Sequence, residues 1–275
     1  FRFRINVSGI EGHTMTTVLD PSLAVKLAAT AGLVIIATLI AEKVGAFIGA
    51  MIAALPLSAG PAYLFISIEH DSTFVAQSAL TGLGINAMIT PFLLISSILV
   101  RRFGIWVGLG SGFALWAIGS FGILQAALDV EAAIALNLIA FPICLYFSRP
   151  YLDGGTASNI KGGLMDIVLR VLAVVSVAAA VIIAGRLIGP EMAGFVAVIP
   201  IVWMSMAVVL YARADRCATS AVMANGIGGM FGFCLALSAL HLMSVEYGST
   251  SALCTALALC VCWNLGLTAA RPFIP

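Results

Sequence analysis

Long apolar runs alternate with short polar clusters along this chain, and the clusters divide it into nine segments. They cover about 22–41, 44–68, 72–100, 104–127, 131–148, 163–185, 189–212, 217–244 and 249–270. A membrane-spanning helix needs roughly 20 apolar residues, and each run approaches or exceeds that length. The pattern predicts an all-α integral membrane protein of about nine transmembrane helices. Most connections are short, so sequential helices should run antiparallel. The exception is Arg149 to Lys161, which is polar and Gly-rich and reads as a linker.

The segments are not independent. Pro56 and Pro200 sit near the centres of two 25-residue apolar runs, Val44 to Ile68 and Ile188 to Ala212, and 200 − 56 gives an offset of 144. The same offset pairs Gly45 with Gly189, Asp71 with Asp215, Gly82 with Gly226, Gly84 with Gly228, Gly104 with Gly248 and Lys26 with Arg170. The expected organisation is a repeat of four helices, a linking helix, and a second repeat of four. Residues 1–21 form an N-terminal extension and 22–127 repeat 1. Residues 128–162 carry helix 5 with the polar linker, and 163–275 form repeat 2.

Composition agrees with the pattern: 62% of residues are hydrophobic and 9% charged, against about 25% charged in soluble domains. Net charge is +1, which gives no electrostatic footprint for nucleic acid. The bilayer is the expected surrounding. Basic residues are uneven. Lys43, Arg101, Arg102, Arg149, Lys161, Arg213, Arg216 and Arg271 fall on one side. Arg186 and Lys26 fall on the other, with Arg2 and Arg4 in the extension. The positive-inside rule puts the first group in the cytoplasm, the N-terminus outside and the C-terminus inside. An odd number of spans then turns the second repeat over relative to the first, an inverted repeat as in many secondary transporters. The start, FRFRINVSGIEGHTM, has no apolar core of a signal peptide. Met15 is a candidate natural start.

Each copy resembles the small four-helix GlpM-like family of bacterial membrane proteins. The resemblance rests on a basic residue early in the first helix (Lys26, Arg170) and a glycine-rich entry to the second (Gly45 and Gly49; Gly189 and Gly194). The mid-helix proline follows, then an aromatic end (Tyr63 and Phe65; Tyr211) and an acid at the next turn (Asp71, Asp215). It covers helices 1–4 and 6–9 but not helix 5, and the fusion of two units departs from the family. It implies a fold and a bacterial inner-membrane location, and no substrate.

Candidate chemistry is sparse. A proline inside a helix removes one backbone donor and displaces the carbonyl four residues earlier, here Ile52 and Val196. In hydrocarbon such groups need partners, and paired interruptions in two halves point to a midplane site. Ser58 and Ser205 lie near the prolines, and Asn86 and Asn225 carry amides into apolar spans. Asn137 and Asn264 add two more. The candidate substrate-binding set is Pro56, Ser58, Asn86, Pro200, Ser205 and Asn225. Gly82, Gly84, Gly226 and Gly228 are candidate packing or hinge positions. For each of these, helix packing is the competing explanation. No ionisable residue lies near the middle of a span. The three histidines, His13, His70 and His241, are scattered, and the six cysteines show no metal-ligand spacing. No catalytic site, cofactor or metal is expected.

Two functions compete on this pattern. The favoured one is transport of a small neutral, zwitterionic or apolar solute by alternating access. The other is a non-transporting scaffold or regulatory subunit, with a second copy or another membrane protein as its partner. The topology carries its own test. A membrane-impermeant thiol reagent applied to intact cells should label cysteine placed at Asp129 and spare cysteine placed at Arg101. Labelling at Arg101 reverses the orientation.

Overall fold

The computed structural model describes residues 59–153 and 164–270, with the isolated positions Val25, Ala28, Ala31 and Gly32. The first predicted segment and the front of the second, including Pro56 and Ser58, lie outside the described residues. Among those described, every element is helical: α1 (Ala59–Glu69), α2 (Ser72–Asn86), α3 (Ile89–Phe103), α4 (Ile105–Ala126) and α5 (Val130–Ser148), then a 3-10 turn (Arg149–Tyr151). After the linker come α6 (Leu164–Leu187), α7 (Pro190–Ala197), α8 (Ile201–Arg213), α9 (Arg216–Tyr247) and α10 (Ser249–Ala270). Among the described residues, six helical stretches are long and apolar enough to cross a bilayer: Ser72–Phe103, Ile105–Ala126, Val130–Tyr151, Pro190–Ala212, Arg216–Tyr247 and Ser249–Ala270.

Helix ends follow local chemistry. Asp71, Asp129 and Asp215 are N-caps whose carboxylates accept from the backbone N–H of Phe74, Ala132 and Ala218, at 2.9, 2.9 and 2.7 Å. Each satisfies an otherwise orphaned donor. Gly104 and Gly248 close the turns after α3 and α9 with φ of 95° and 82°, a backbone region that strains any residue with a Cβ. The offset of 144 carries Asp71 to Asp215, Phe74 to Ala218 and Gly104 to Gly248, and it carries the bounds of Ser72–Phe103 and Ile105–Ala126 onto α9 and α10.

One difference within the matched spans has a sequence cause. The stretch from Ser72 to Phe103 breaks between Asn86 and Ile89, while α9 is continuous. Pro91 has no N–H to give the Ala87 carbonyl. The Thr90 hydroxyl fills that place at 3.2 Å, and the chain tightens into i to i−3 bonds, Ala87 N–H to Gly84 and Met88 N–H to Ile85. The matched position in α9 is Leu235.

These two long spans form the centre and run antiparallel. Ser220 Oγ donates to the Ser97 carbonyl at 2.8 Å, and His241 Nδ1 meets the Ala76 carbonyl at 2.9 Å. The offset carries residue 76 to 220 and residue 97 to 241, so each contact is the other's image. The outer helices present a narrow buried stripe to this centre. In α4 it includes Gly108, Gly112, Trp116 and Ser120, and in α10 Ala252, Ala256, Cys260 and Asn264. These two sets are again 144 apart. In α5 the stripe is Ala133, Asn137, Phe141, Cys144 and Ser148. The other faces of these helices expose large apolar side chains, among them Trp106, Ile118, Phe121, Ile139 and Leu265. A bilayer accommodates such faces and water does not.

Small residues set how near the helices come. A Cβ at Gly194 in α7 would collide with the Ser78 carbonyl of α2. Gly194→Ala should therefore cost about 1–3 kcal/mol. At Gly122, where nothing lies within 4 Å, alanine should cost nothing and gain up to about 1 kcal/mol of helix propensity. Denaturation midpoints in detergent micelles read both. Equal effects at the two positions would rule out a close α2–α7 approach.

Candidate functional site

Pro56 and Ser58 lie outside the described residues, and the other predicted residues do not form one constellation. Pro200 does what an internal proline should: it separates α7 from α8 and caps the latter. The Val196 carbonyl, expected to lose its donor, accepts instead from Ile199 N–H at 3.2 Å, and Ile201 N–H turns back to the Ile199 carbonyl at 2.8 Å. The unpaired groups have moved by a few residues. Among the described residues, no backbone donor reaches the Val198 carbonyl, and the N–H groups of Val202 and Trp203 have no backbone acceptor. Val198, Val202 and Trp203 are 3%, 7% and 5% exposed, so bulk water does not compensate them. An interrupted helix that leaves both a carbonyl and N–H groups inside the protein suits a polar solute.

What faces this break is α2. A Cβ on Gly82 would lie 2.5 Å from Tyr63 Oη, 3.3 Å from Val198 Cγ2 and 3.6 Å from Leu237 Cδ2. Gly82 thus marks the meeting point of α1, α2, the α7–α8 break and α9. One turn earlier on α2, Ser78 lies against Gly194. Its carbonyl accepts from Tyr63 Oη at 3.0 Å, while its own hydroxyl is buried with no partner. Sequence reasoning missed Ser78 and treated Tyr63 only as an aromatic helix end. The available signal was Ser78 four residues before Gly82, on the same helical face.

Asn86 belongs to a second, neighbouring polar group. Its Nδ2 donates to Asn137 Oδ1 at 3.0 Å, and Asn137 Nδ2 donates to the carbonyls of Leu83 and Ala133, both at 2.8 Å. Both side chains are fully buried. Asn137 is thereby oriented, which turns Asn86 Oδ1 away from it, and that oxygen has no donor. Helix α5 is tied to the α2–α3 break through this pair. Buried orphans recur in the outer stripes: Ser120 Oγ in α4 and Asn264 Oδ1 in α10 occupy matched positions, and Trp116 Nε1 lies one turn from Ser120.

The remaining predicted residues lie elsewhere or bond locally. Asn225 does not approach Asn86. Its amide donates to the Leu152 carbonyl at 3.0 Å and to Ala221 of its own helix, at the end where Arg101 donates to the Pro150 carbonyl at 3.1 Å. Ser205 bonds to Val202 within α8 at 2.9 Å. Gly226 packs under the Trp203 indole, and Gly84 lies by Ile123. Gly228 accepts from Trp263 Nε1 at 2.9 Å through its carbonyl. These glycines are close-packing positions, Gly228 least so, with nothing nearer than 3.8 Å.

The two ends of the molecule differ in charge. At one end Arg101, Pro150 and Tyr151 cluster, and Gly104 lies against Tyr211 and Arg216. At the other, Arg186 holds Glu69 through two bonds of 2.7 Å, joining α6 to α1, and His70 stacks on Phe74 at 3.8 Å. Between the ends, the described interior offers neutral donors and acceptors. No family model, curated protein or solved structure matches this chain.

The Asn86–Asn137 pair carries a stability prediction. Asn137→Leu leaves the buried Asn86 amide donor and the Leu83 carbonyl without their side-chain partner, while the Ala133 carbonyl keeps its helix bond, and should cost about 1–3 kcal/mol for each group stranded. The Asn86→Leu, Asn137→Leu double variant should cost less than the sum of the singles. Unfolding free energies in micelles supply the cycle, and strict additivity would remove the coupling.

Proposed function

We propose that this chain is an alternating-access transporter for a small neutral, zwitterionic or apolar solute. Its design is a 4+1+4 inverted repeat of a GlpM-like four-helix unit in a bacterial inner membrane, the N-terminus outside and the C-terminus cytoplasmic. The observation that carries the reading is the Pro200 interruption. Among the described residues it leaves the Val198 carbonyl without a backbone donor and the Val202 and Trp203 N–H groups without a backbone acceptor, beside the helix that carries Gly82 and Ser78, as a midplane solute site in a secondary transporter would. The neutral chemistry there favours an uncharged or internally balanced solute over a free ion.

The inversion is supported by the reciprocal contacts. When residue i of one copy touches residue j of the other, and j touches i, a two-fold axis relates the copies. The pairs 76 with 241 and 97 with 220 have that form, and an axis relating them would pass beside Asn86 and Ala87, where α2 ends. The orientation is supported by the gathering of Arg101 and Arg216 at one end. Pro56 and Ser58, matched to Pro200 and Val202, would complete the site from the first copy.

Replacing Pro200 tests the reading. Alanine restores an N–H and lets the helix close on itself, so a solute using the freed groups loses about 0.5–1.5 kcal/mol per hydrogen bond. Affinity should fall roughly threefold to tenfold for a solute found by thermal-shift screening over metabolite classes, and Pro56→Ala should do the same. Melting temperature of each variant, measured alongside, separates binding from folding. Unchanged affinity in both well-folded variants would favour the scaffold role instead.

A further inference from the structure

The two reciprocal contacts between the long spans differ in one chemical respect. Ser220 and His241 are separated by 241 − 220 = 21 residues of uninterrupted helix, about 32 Å at 1.5 Å per residue. That is close to the roughly 30 Å of the hydrocarbon core. The pair therefore clamps α9 to the α2–α3 span near each membrane face. At one face the donor is a serine hydroxyl, which does not titrate. At the other it is an imidazole.

The His241 geometry fixes which nitrogen is available. A carbonyl oxygen only accepts, so the 2.9 Å contact with Ala76 requires the proton on Nδ1. Among the described residues Nε2 has no partner. His241 is partly exposed, six residues before the end of α9, where Ser249 Oγ donates to Ser72 Oγ at 3.1 Å. Protons from the adjoining aqueous phase can reach it without crossing the membrane.

We propose that His241 is a proton-binding site that gates the face of the membrane carrying Glu69, Asp71 and Arg186. It rests on the transport reading. Nε2 takes a proton from hydronium through its lone pair, and the O–H bond that breaks leaves water. No other bond breaks, and Nδ1–H stays on the Ala76 carbonyl. The bond becomes charge-assisted, and such bonds are about twice as strong as neutral ones. Low pH thus tightens the clamp at this face, leaves the Ser220–Ser97 bond itself no stronger, and so shifts the balance between the two faces. Protonation biases the transporter towards closure at the Glu69 face.

The surrounding ionisable groups permit the charge. On α9 these are Glu246 and Tyr247 near His241, with Cys234, Cys217 and Arg216 farther along. From α2 comes Asp71, whose carboxylate caps its helix, and from α1 beyond it Glu69, paired with Arg186, and His70. Helix α5 brings Asp129 and Glu131 at its start and Cys144 along its buried stripe. Helix α10 carries only Cys254, Cys260 and Cys262. Arg101 and Arg102 of α3, Tyr211 and Arg213 of α8, and Arg149 and Tyr151 of the 3-10 turn lie towards the opposite end.

The test uses the full chain in lipid nanodiscs, with its six cysteines replaced by alanine and spin labels at two pairs of positions. Gln77→Cys with Val245→Cys reports this face, and Arg102→Cys with Arg216→Cys the other. Between pH 8 and pH 5, the range in which imidazoles change charge, the short-distance population at this face should rise by about fivefold, with the opposite face opening. His241→Asn keeps an amide donor for Ala76 and should abolish the pH response. His241→Leu should abolish it and reduce the short-distance population. Nitrogen-15 NMR of the histidine-labelled native chain provides an independent reading: at pH 8 the His241 proton should be on Nδ1, and at pH 5 on both nitrogens. Distances unchanged with pH, a pH response retained in His241→Asn, or a proton on Nε2 at pH 8 would each overturn the proton gate. If both faces exchange between open and closed independently of pH, the gate fails and transport stands. A single population at both faces would overturn the transport reading itself.

Discussion

Antiparallel contact between the Ser72–Phe103 span and α9 is what the rest of the molecule depends on. Both are too long to be mere membrane crossings, and both are largely buried within the protein. In hydrocarbon no apolar driving force pulls helices together, so close packing and interhelical hydrogen bonds must do it. The serine and histidine contacts supply polar links at the two ends of this pair. Glycines let other helices come close enough to touch backbone, as at Gly194 against Ser78 and Gly112 against Phe92.

The central pair also decides where irregularity is tolerated. Broken helices survive at membrane depth only where protein or a polar cavity surrounds them. Both described breaks obey this. The α2–α3 break is covered by α5 through Asn137 and by α4 through Met88, which lies on Gly119. The α7–α8 break is covered by α2 at Gly82. The outer helices, which face lipid over most of their surface, remain continuous even where α5 carries Pro142.

At the α2–α3 break Thr90 stands in for the donor that Pro91 lacks, while the Ile89 and Thr90 N–H groups have no backbone acceptor among the described residues. The same holds among the described residues for the Val202 and Trp203 N–H groups at the α7–α8 break, and Ser78, on the facing helix, carries a buried hydroxyl without a partner. Natural chains tolerate local inconsistencies of this kind mainly at functional sites.

Much of the fold was legible in the sequence because its causes are local. Apolar length set the spans, so the predicted segments at 131–148 and 249–270 agree with α5 and α10 to within a residue. The offset of 144 anticipated the shared caps at Asp71 and Asp215 and the left-handed turns at Gly104 and Gly248, since cap and turn chemistry involves neighbours only. The polar partners were not legible. These helices are apolar almost all round, so no amphipathic stripe reveals which face meets which neighbour. Asn86 and Asn225 looked like counterparts on composition, yet one pairs with Asn137 and the other reaches Leu152. Ser78 and His241 looked unremarkable until α7 and α2 were brought beside them. Helix length and end chemistry are written along the chain, whereas the rotation and register of one apolar helix against another arise only when the helices pack.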